Sequence, residues 1–382
     1  MSSSYVVSAI KYRPQHFNTV VGQSHITTTL KNAIKQNQLA HSFLFCGPRG
    51  VGKTTCARIL AKTINCTNLT ADAEACDQCP SCISYRENTS FNVHEIDAAS
   101  NNSVDDIRNL IEQVRYLPLG GSKYKVYIID EVHMLSQSAF NAFLKTLEEP
   151  PKHAIFILAT TEKHKILPTI LSRCQIFDFN RITIQDTIAH LSDICKQENI
   201  KYEEDALHLI AQKSEGCMRD ALSIMDKIAS FTQNYITYEN TIEHLNILDY
   251  DYFFKLTESF LMQDMSSVLL HYENIFSKGF EGDSFLNGFT EHFRNLLICK
   301  NDKIAHLLQL PQNVKVKYFQ QANQVSAEYI INALSILNEA EMSYKQAINK
   351  RLHVELALIK INYLNTALQV LRDEDQLLKK KS

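Results

Sequence analysis

Gly47-Pro48-Arg49-Gly50-Val51-Gly52-Lys53-Thr54 fits the pattern G-x-x-x-x-G-K-[ST]. In that pattern glycines let backbone N–H groups turn inward around phosphate oxygens. The lysine reaches the β- and γ-phosphates, and the hydroxyl, here Thr54, ligates Mg²⁺. The pattern needs a strand before it and a helix after it. An apolar run, Phe43–Phe45, precedes it and a helical segment opening at Thr55 follows. That helix N-terminus adds positive potential for an anion. A second acidic signal lies downstream, where the apolar run Val126–Ile129 ends in Asp130-Glu131. Beside a phosphate loop, Asp130 would belong to the Mg²⁺ shell and Glu131 would polarise an attacking water. Alone, such a pair would read as a solvated strand end.

Cys66, Cys76, Cys79 and Cys82 form C-x9-C-x2-C-x2-C. The three closely spaced thiols fall in one turn-rich segment, and Cys66 can close a tetrahedron. Asn68, Thr70, Asp77, Pro80 and Ser81 suit a small knuckle with little core of its own, which would fold only around its ion. Four cysteines also suit an iron–sulfur cluster. Nothing in the sequence points to redox work, so the reading is structural Zn²⁺. Two arginines stand out less sharply. Arg173 follows a strand and a Pro-marked turn, and reads by default as a surface residue. Arg219 opens a helix and reads by default as a solvated helix position. In a nucleotide-driven ring, guanidinium groups so placed would meet the γ-phosphate, one from a neighbouring subunit and one from a lid.

The elements that must hold these residues show as pattern. The runs 42–47, 93–99, 126–131 and 154–161 predict buried parallel strands, and amphipathic segments at 52–65, 104–115 and 136–147 lie between them. Repeated strand–helix–strand order predicts a doubly wound α/β domain over 1–180. Residues 181–245 read as a small helical domain, and 246–366 as a further helical domain rich in Leu, Ile, Phe and Tyr. The class is therefore α/β followed by all-α. A charged tail, 367–382, follows, and its end, Asp373–Ser382, is expected to fray.

Composition bounds the rest. The 382 residues are 45% hydrophobic and 21% charged, which suits a globular chain of several domains. The 39 basic and 42 acidic side chains give a net charge of −3, which argues against gripping nucleic acid by bulk positive charge. No apolar stretch is long enough for a membrane span, and the N-terminus has no signal-peptide pattern. Of ten cysteines, the six outside 66–82 read as core residues.

Longer segments carry a resemblance. KYRPQHFNTVVGQSHI (11–26), GPRGVGKTT, the four-cysteine insert, EIDAASNNSVDDIR (95–108), YIIDEVHMLS, FNAFLKTLEEPP (140–151), LATTEKHKILPTILSRC (158–174) and MRDAL are similar to the tau/gamma family of bacterial DNA polymerase III, which are AAA+ clamp-loader ATPases. The resemblance runs almost unbroken from about residue 5 to 245. It implies an AAA+ ATPase domain with a zinc insert at 66–82, a helical lid over 181–245 and a helical collar over 246–366 that joins a ring of subunits. It implies ATP, Mg²⁺ and Zn²⁺ as cofactors. Thr161 would be a sensor of the γ-phosphate or of the attacking water, Arg173 the finger completing the next subunit's site, and Arg219 a second sensor. Arg13, Val20 and Val21 would line the adenine side. The implied partners are delta, delta-prime, further tau/gamma copies, the beta sliding clamp and primed DNA, with no membrane. The implied location is the cytoplasm, at the nucleoid-associated replisome, within a DNA-directed DNA polymerase holoenzyme. The collar region resembles the family only in being helical and of fitting length. The chain stops at Ser382 like the short gamma-type product, so domains tethering polymerase or helicase are not expected in it.

The residues 100–106 are a candidate helix N-terminus for meeting DNA, and equally a plain cap with Ser103 ahead of Val104-Asp105-Asp106. Two other readings compete. A non-catalytic scaffold subunit like delta-prime would be expected to have a degraded phosphate loop, whereas Lys53, Thr54, Asp130 and Glu131 are all present. A stand-alone zinc-dependent DNA-binding protein is disfavoured by the acidic balance and by the lack of aromatic-plus-basic patches.

Overall fold

The computed structural model describes residues 6–369 apart from 246–249, 302, 305–307, 309 and 311. The expected frayed tail, Asp373–Ser382, lies outside the described residues. The chain forms two compact units, residues 1–236 and 237–382.

The first unit is built on a parallel sheet of β1 (Ser42–Cys46), β2 (Val93–Asp97), β3 (Lys125–Asp130), β4 (Ala154–Thr160) and β5 (Gln175–Asp178), in the order β2-β3-β4-β1-β5. Parallel strands need crossover helices, which cover both faces and bury the strands on both sides. Accordingly every residue of β1 and β4 is buried. Phe43, Phe45, Ile128 and Ile157 pack on one face with the helix Lys53–Ile64, and Leu44, Tyr127, Ile129 and Phe156 on the other with the helices Val104–Val114 and Gln137–Glu148. Strand β5 has no counterpart among the four expected runs. It is a four-residue edge strand with only Phe177 buried, so it leaves little apolar signal.

The helices of the first unit are α1 (Ser8–Lys11), α2 (Ser24–Lys35), α3 (Lys53–Ile64), α4 (Pro80–Arg86), α5 (Val104–Val114), α6 (Gln137–Glu148), α7 (Pro168–Leu171), α8 (Ile184–Gln197), α9 (Glu204–Lys213) and α10 (Met218–Phe231). Helix α5 starts with a capping box, in which Ser103 Oγ accepts from the Asp106 N–H and the Asp106 side chain accepts from the Ser103 N–H. The cap reading of this segment therefore holds. Helices α8, α9 and α10 form the small helical layer read from the sequence. A parallel pair of two-residue strands, β6 (Lys201–Tyr202) and β7 (Tyr235–Ile236), joins its ends, too short for periodicity to reveal.

The second unit is helical among its described residues. It comprises α11 (Tyr238–Leu245), α12 (Tyr250–Leu261), α13 (Met265–Ser277), α14 (Gly282–Cys299), α15 (Gln312–Gln324), α16 (Ala327–Tyr344) and α17 (Lys350–Asn362). Aromatic rings fill its core: Phe253, Phe285, Phe289, Phe293 and Tyr329 are all 3% exposed or less. Gly288 lets helix α14 accept the Phe253 ring, since a Cβ there would sit 2.7 Å from Phe253 Cζ. Among the rings lies a polar pair of contacts. His292 Nε2 is 3.0 Å from Thr257 Oγ1, and His292 Nδ1 is 3.0 Å from Tyr318 Oη.

Burial pulls the His292 imidazole down to about 3. Between there and its ordinary value near 6.5 the unfolded chain binds a proton that the folded chain does not. Stability of this unit should therefore fall as pH drops from about 6.5 towards 3, by about 1.4 kcal/mol per pH unit, and level off below. Urea melts followed by circular dichroism at pH 7.0, 5.5 and 4.5 measure this slope. His292→Gln should remove that share of it, and an unchanged slope in the variant would exclude His292 as its source.

Candidate nucleotide site and four-cysteine centre

Three adjacent strands end side by side, and the residues read as chemical from sequence lie just past those ends. Cys46 at the end of β1 pairs with Thr160 of β4, and Gly47 N–H donates to Thr160 O at 3.2 Å. Asp130 closes β3, on the other side of β4. The connection after β1 turns up into α3, placing the phosphate loop over the carboxyl ends of the sheet, where ligands of open α/β sheets bind.

The loop needs its glycines. Gly47, Gly50 and Gly52 have φ of 148°, 71° and 104°. A Cβ on Gly47 would lie 2.5 Å from Phe179 O, and one on Gly50 would lie 2.0 Å from Cys217 Sγ at the start of α10. Lys53 is 6% exposed, and its Nζ donates to Gly47 O at 2.8 Å and to Pro48 O at 2.7 Å. Burial lowers its pKa, and the nearby Glu131 and Asp130 carboxylates oppose that shift. Thr54 Oγ1 donates to Asp130 Oδ2 at 2.6 Å. Adjacent oxygens of a Mg²⁺ octahedron lie about 3 Å apart, so this hydroxyl–carboxylate pair fits two positions of such a shell.

Glu131 stands in left-handed backbone, φ 46° and ψ 43°. Its Oε2 accepts from Thr161 Oγ1 at 3.0 Å and lies 3.4 Å from His133 Nδ1. His133 is a residue the sequence reading passed over. Its side chain is 6% exposed, with Nδ1 3.1 Å from Thr160 Oγ1 and Nε2 3.2 Å from Glu162 Oε1. The motif YIIDEVHMLS contains it, but only the fold reveals that the 3₁₀ turn Val132–Met134 swings it back against Glu131.

One cleft of about 1010 Å³, counting its open mouth, gathers most of the remainder. Its walls include Arg49, Gly50, Val51, Gly52, Lys53, Thr54, Thr55, Asp130 and Glu131 from the sheet side, Arg13, Val20 and Val21 from the N-terminal segment, and Arg219 from α10. Burial and the neighbouring Arg58 lower the pKa of Arg13. Tyr12, Ile182, His190, Met218 and Leu222 also line the cleft and were not anticipated, because no short motif marks them. Gln23, fully buried, donates from Nε2 to Asn180 O at 2.7 Å, tying the segment after Val21 to the link between sheet and lid.

Arg173 is not part of this cleft. Its NH2 donates to Glu148 Oε1 at 2.7 Å and its NH1 to Thr169 O at 2.8 Å, on an exposed flank beside α7.

The four cysteines come together elsewhere, beyond α3. Their sulfurs all lie within 4.8 Å of one another, with Cys66–Cys76 at 3.5 Å and Cys66–Cys79 at 4.0 Å. Zn–S bonds of about 2.3 Å in a tetrahedron put sulfurs roughly 3.8 Å apart, so the donor set fits a structural tetrahedral ion. Cys76 N–H and Cys79 N–H point at Cys66 Sγ and Cys76 Sγ, both at 3.3 Å, as donors to thiolates would. No described residue places an aspartate, glutamate or histidine in the cluster. Helix α4 begins inside it, with Cys79 at its N-cap.

Comparisons with known proteins agree over most of the chain. A family model described as DNA polymerase III, delta subunit, matches residues 22–183. One described as DNA polymerase III clamp loader subunit, ATPase lid domain, matches 187–234, and one described as DNA polymerase III subunits gamma and tau domain III matches 236–377. DNA polymerase III subunit tau of Bacillus subtilis is 42% identical over 352 residues, which are 92% of this chain and 62% of that protein. DNA polymerase III subunit gamma of Buchnera aphidicola subsp. Baizongia pistaciae is 37% identical over 373 residues, 95% of this chain and 98% of that protein. DNA polymerase III subunit gamma/tau of Mycoplasma pneumoniae is 47% identical over 224 residues, 59% of this chain and 32% of that protein. The chain thus spans less than two thirds of the Bacillus relative and almost all of the Buchnera one. Among the described residues no helix is long and apolar enough to cross a membrane.

Proposed function

The chain belongs to the DNA polymerase III gamma/tau family of clamp-loader subunits, and from that premise we propose that it is an ATP-hydrolysing motor subunit. The observation that carries this reading is the meeting of Lys53, Thr54, Asp130, Glu131 and Arg219 in one cleft. A scaffold subunit would have no use for all five.

In this reading the loop N–H groups and Lys53 hold the β- and γ-phosphates, and Arg13 with Val20 and Val21 flanks the base. Mg²⁺, held through Thr54 and Asp130, would neutralise charge on the phosphates. Glu131, kept in place by the Thr161 hydroxyl, orients the attacking water and accepts its proton. Arg219 reports from the lid on whether the γ-phosphate is present, and Arg173 reaches the site of the adjoining subunit. Nucleotide contacts that differ between the closed and open lid can bias a ring between two arrangements. The consequence is the opening of the beta sliding clamp, its placement on primed DNA, and release after hydrolysis. The partners are delta, delta-prime, further gamma/tau copies, the clamp and primed DNA, with residues 246–366 as the collar. The setting is the cytoplasmic, nucleoid-associated replisome. The ion of the four-cysteine centre is Zn²⁺.

Reconstitution with delta and delta-prime, followed by clamp loading on primed circular DNA, tests the reading. ATP hydrolysis stimulated by clamp and primed DNA is the expected result, and its absence would sink the motor assignment. Lys53→Met keeps much of the buried stem and removes the charge. It should weaken ATP binding at least about 100-fold, just under the low end for two charge-assisted hydrogen bonds to phosphate. A fluorescent-nucleotide titration measures it.

A further inference from the structure

We infer that Glu74 is a positioning residue for the nucleotide cleft. It holds the wall that carries Val20 and Val21 while the four-cysteine knuckle beside it carries its metal ion, so that metal loading and nucleotide affinity rise and fall together. The inference rests on the nucleotide reading of the cleft.

Glu74 lies two residues before Cys76 and is 5% exposed. Its carboxylate does not serve the knuckle. It reaches out to a segment 57 residues away in the chain, where Oε2 accepts the Phe17 N–H at 2.9 Å and Oε1 accepts the Asn18 N–H at 3.0 Å. These are the opening N–H groups of the 3₁₀ turn Phe17–Thr19, whose own N-cap, His16, supplies no side-chain cap. A helical turn leaves such donors without partners, and a buried one left so costs free energy. Glu74 is thus a cap delivered from the knuckle. Lys31 Nζ on α2 lies 2.7 Å from Oε1 and balances the buried charge. Asp77, just after Cys76, makes the parallel connection, to Lys62 Nζ of α3 at 2.7 Å and to His16 Nε2 at 2.8 Å.

What the capped turn carries is the point. Phe17 is 1% exposed and anchors the turn in the sheet core, and Val20 and Val21 follow directly and line the cleft. Val20 Cγ1 faces the phosphate loop, 3.9 Å from where a Cβ on Gly52 would be. The same strap is fastened to the lid at its other end. Ser8 N–H donates to Asp226 Oδ2 at 2.7 Å, and Lys11 Nζ and Tyr12 Oη both donate to Glu198. Cleft residues Arg13, Val20 and Val21 therefore hang between the lid and the knuckle.

The knuckle end depends on the ion. Its buried apolar cluster is Cys66, Ala75, Cys79 and Cys82, with Cys76 partly buried beside them, and Ala73 is held at φ 57°. So small a core cannot keep the 66–82 loop in shape, and Glu74 on target, once the sulfurs are released. Coupling between two sites is reciprocal, so nucleotide must tighten the ion by the factor by which the ion tightens nucleotide.

The test uses the full chain and a fluorescent ADP analogue, mant-ADP, in excess Mg²⁺. The chain is titrated with its zinc, after zinc is withdrawn by a chelator that spares Mg²⁺, and after zinc is restored. Affinity should fall about 10-fold on withdrawal and return on restoration, and saturating ADP should raise zinc affinity by the same factor in a chelator competition. Glu74→Gln should keep its zinc and show the weakened affinity, now independent of zinc, and hydrogen exchange at the Phe17 and Asn18 amides should speed up. The zinc arm needs no substitution, so a poorly folding variant does not blunt it. Equal mant-ADP affinity with and without zinc would overturn the inference and leave the nucleotide site standing. No affinity in either state would remove the nucleotide reading itself, and the inference with it.

Discussion

Arg173→Ala should leave nucleotide affinity of the isolated chain unchanged and lower hydrolysis by the assembled loader about 1000-fold, the lower end of what an arginine supplied in trans contributes. Two observations make the separation sharp. Arg173 is outside the chain's own cleft, so its loss removes no contact there. It is also only weakly held, by Thr169 O and by Glu148, an exposed ion pair worth under about 1 kcal/mol. A guanidinium so lightly engaged can exchange that partner for a γ-phosphate with little loss. Steady-state hydrolysis with clamp and primed DNA, set against nucleotide titration of the single chain, measures both halves. A variant complex that hydrolyses at the normal rate would remove the trans role. Glu148→Ala should change that rate far less than Arg173→Ala does.

Glu131→Gln should bind ATP as the unaltered chain does and hydrolyse it about 1000-fold more slowly, within the range for loss of a general base. Glutamine keeps the size of the side chain and can still accept from Thr161 Oγ1, so the cleft is not rebuilt. What it loses is the ability to take a proton. Single-turnover hydrolysis with pre-bound ATP reads the chemical step, and in the proposed cycle, where binding opens the clamp, clamp opening should persist. Thr161→Val, which loosens Glu131 without neutralising it, should show a smaller deficit in the same assay. His133 adds a condition to this geometry. It sits between the Glu131 and Glu162 carboxylates, so replacing it should disturb hydrolysis more than nucleotide binding.

Much of the site is local in the chain, and local chemistry is what sequence records well. A phosphate loop is one unbroken stretch because its glycines, its lysine and its hydroxyl must share a single turn between a strand and a helix. Asp130 and Glu131 are readable for a related reason, since a run of buried β-branched residues has to end where the strand leaves the core. The cysteine spacing is likewise contiguous, apart from Cys66. Strand β5 was not legible, because a short edge strand buries one face in part and so leaves no run of apolar residues.

Contacts between distant segments are a different matter. Nothing in HFNT shows that its N–H groups are capped by Glu74, nor in DEVH that the histidine returns to the glutamate, nor in GPRG that Gly50 must clear Cys217. The amino-acid sequence alone determined which groups could handle a Mg-nucleotide and a tetrahedral ion, since those residue types at those spacings suit little else. Only the tertiary structure decided that the N-terminal segment fastens the lid, the cleft and the four-cysteine knuckle together, because pairings across the fold depend on which surfaces packing brings within hydrogen-bond reach, and spacing along the chain does not encode that.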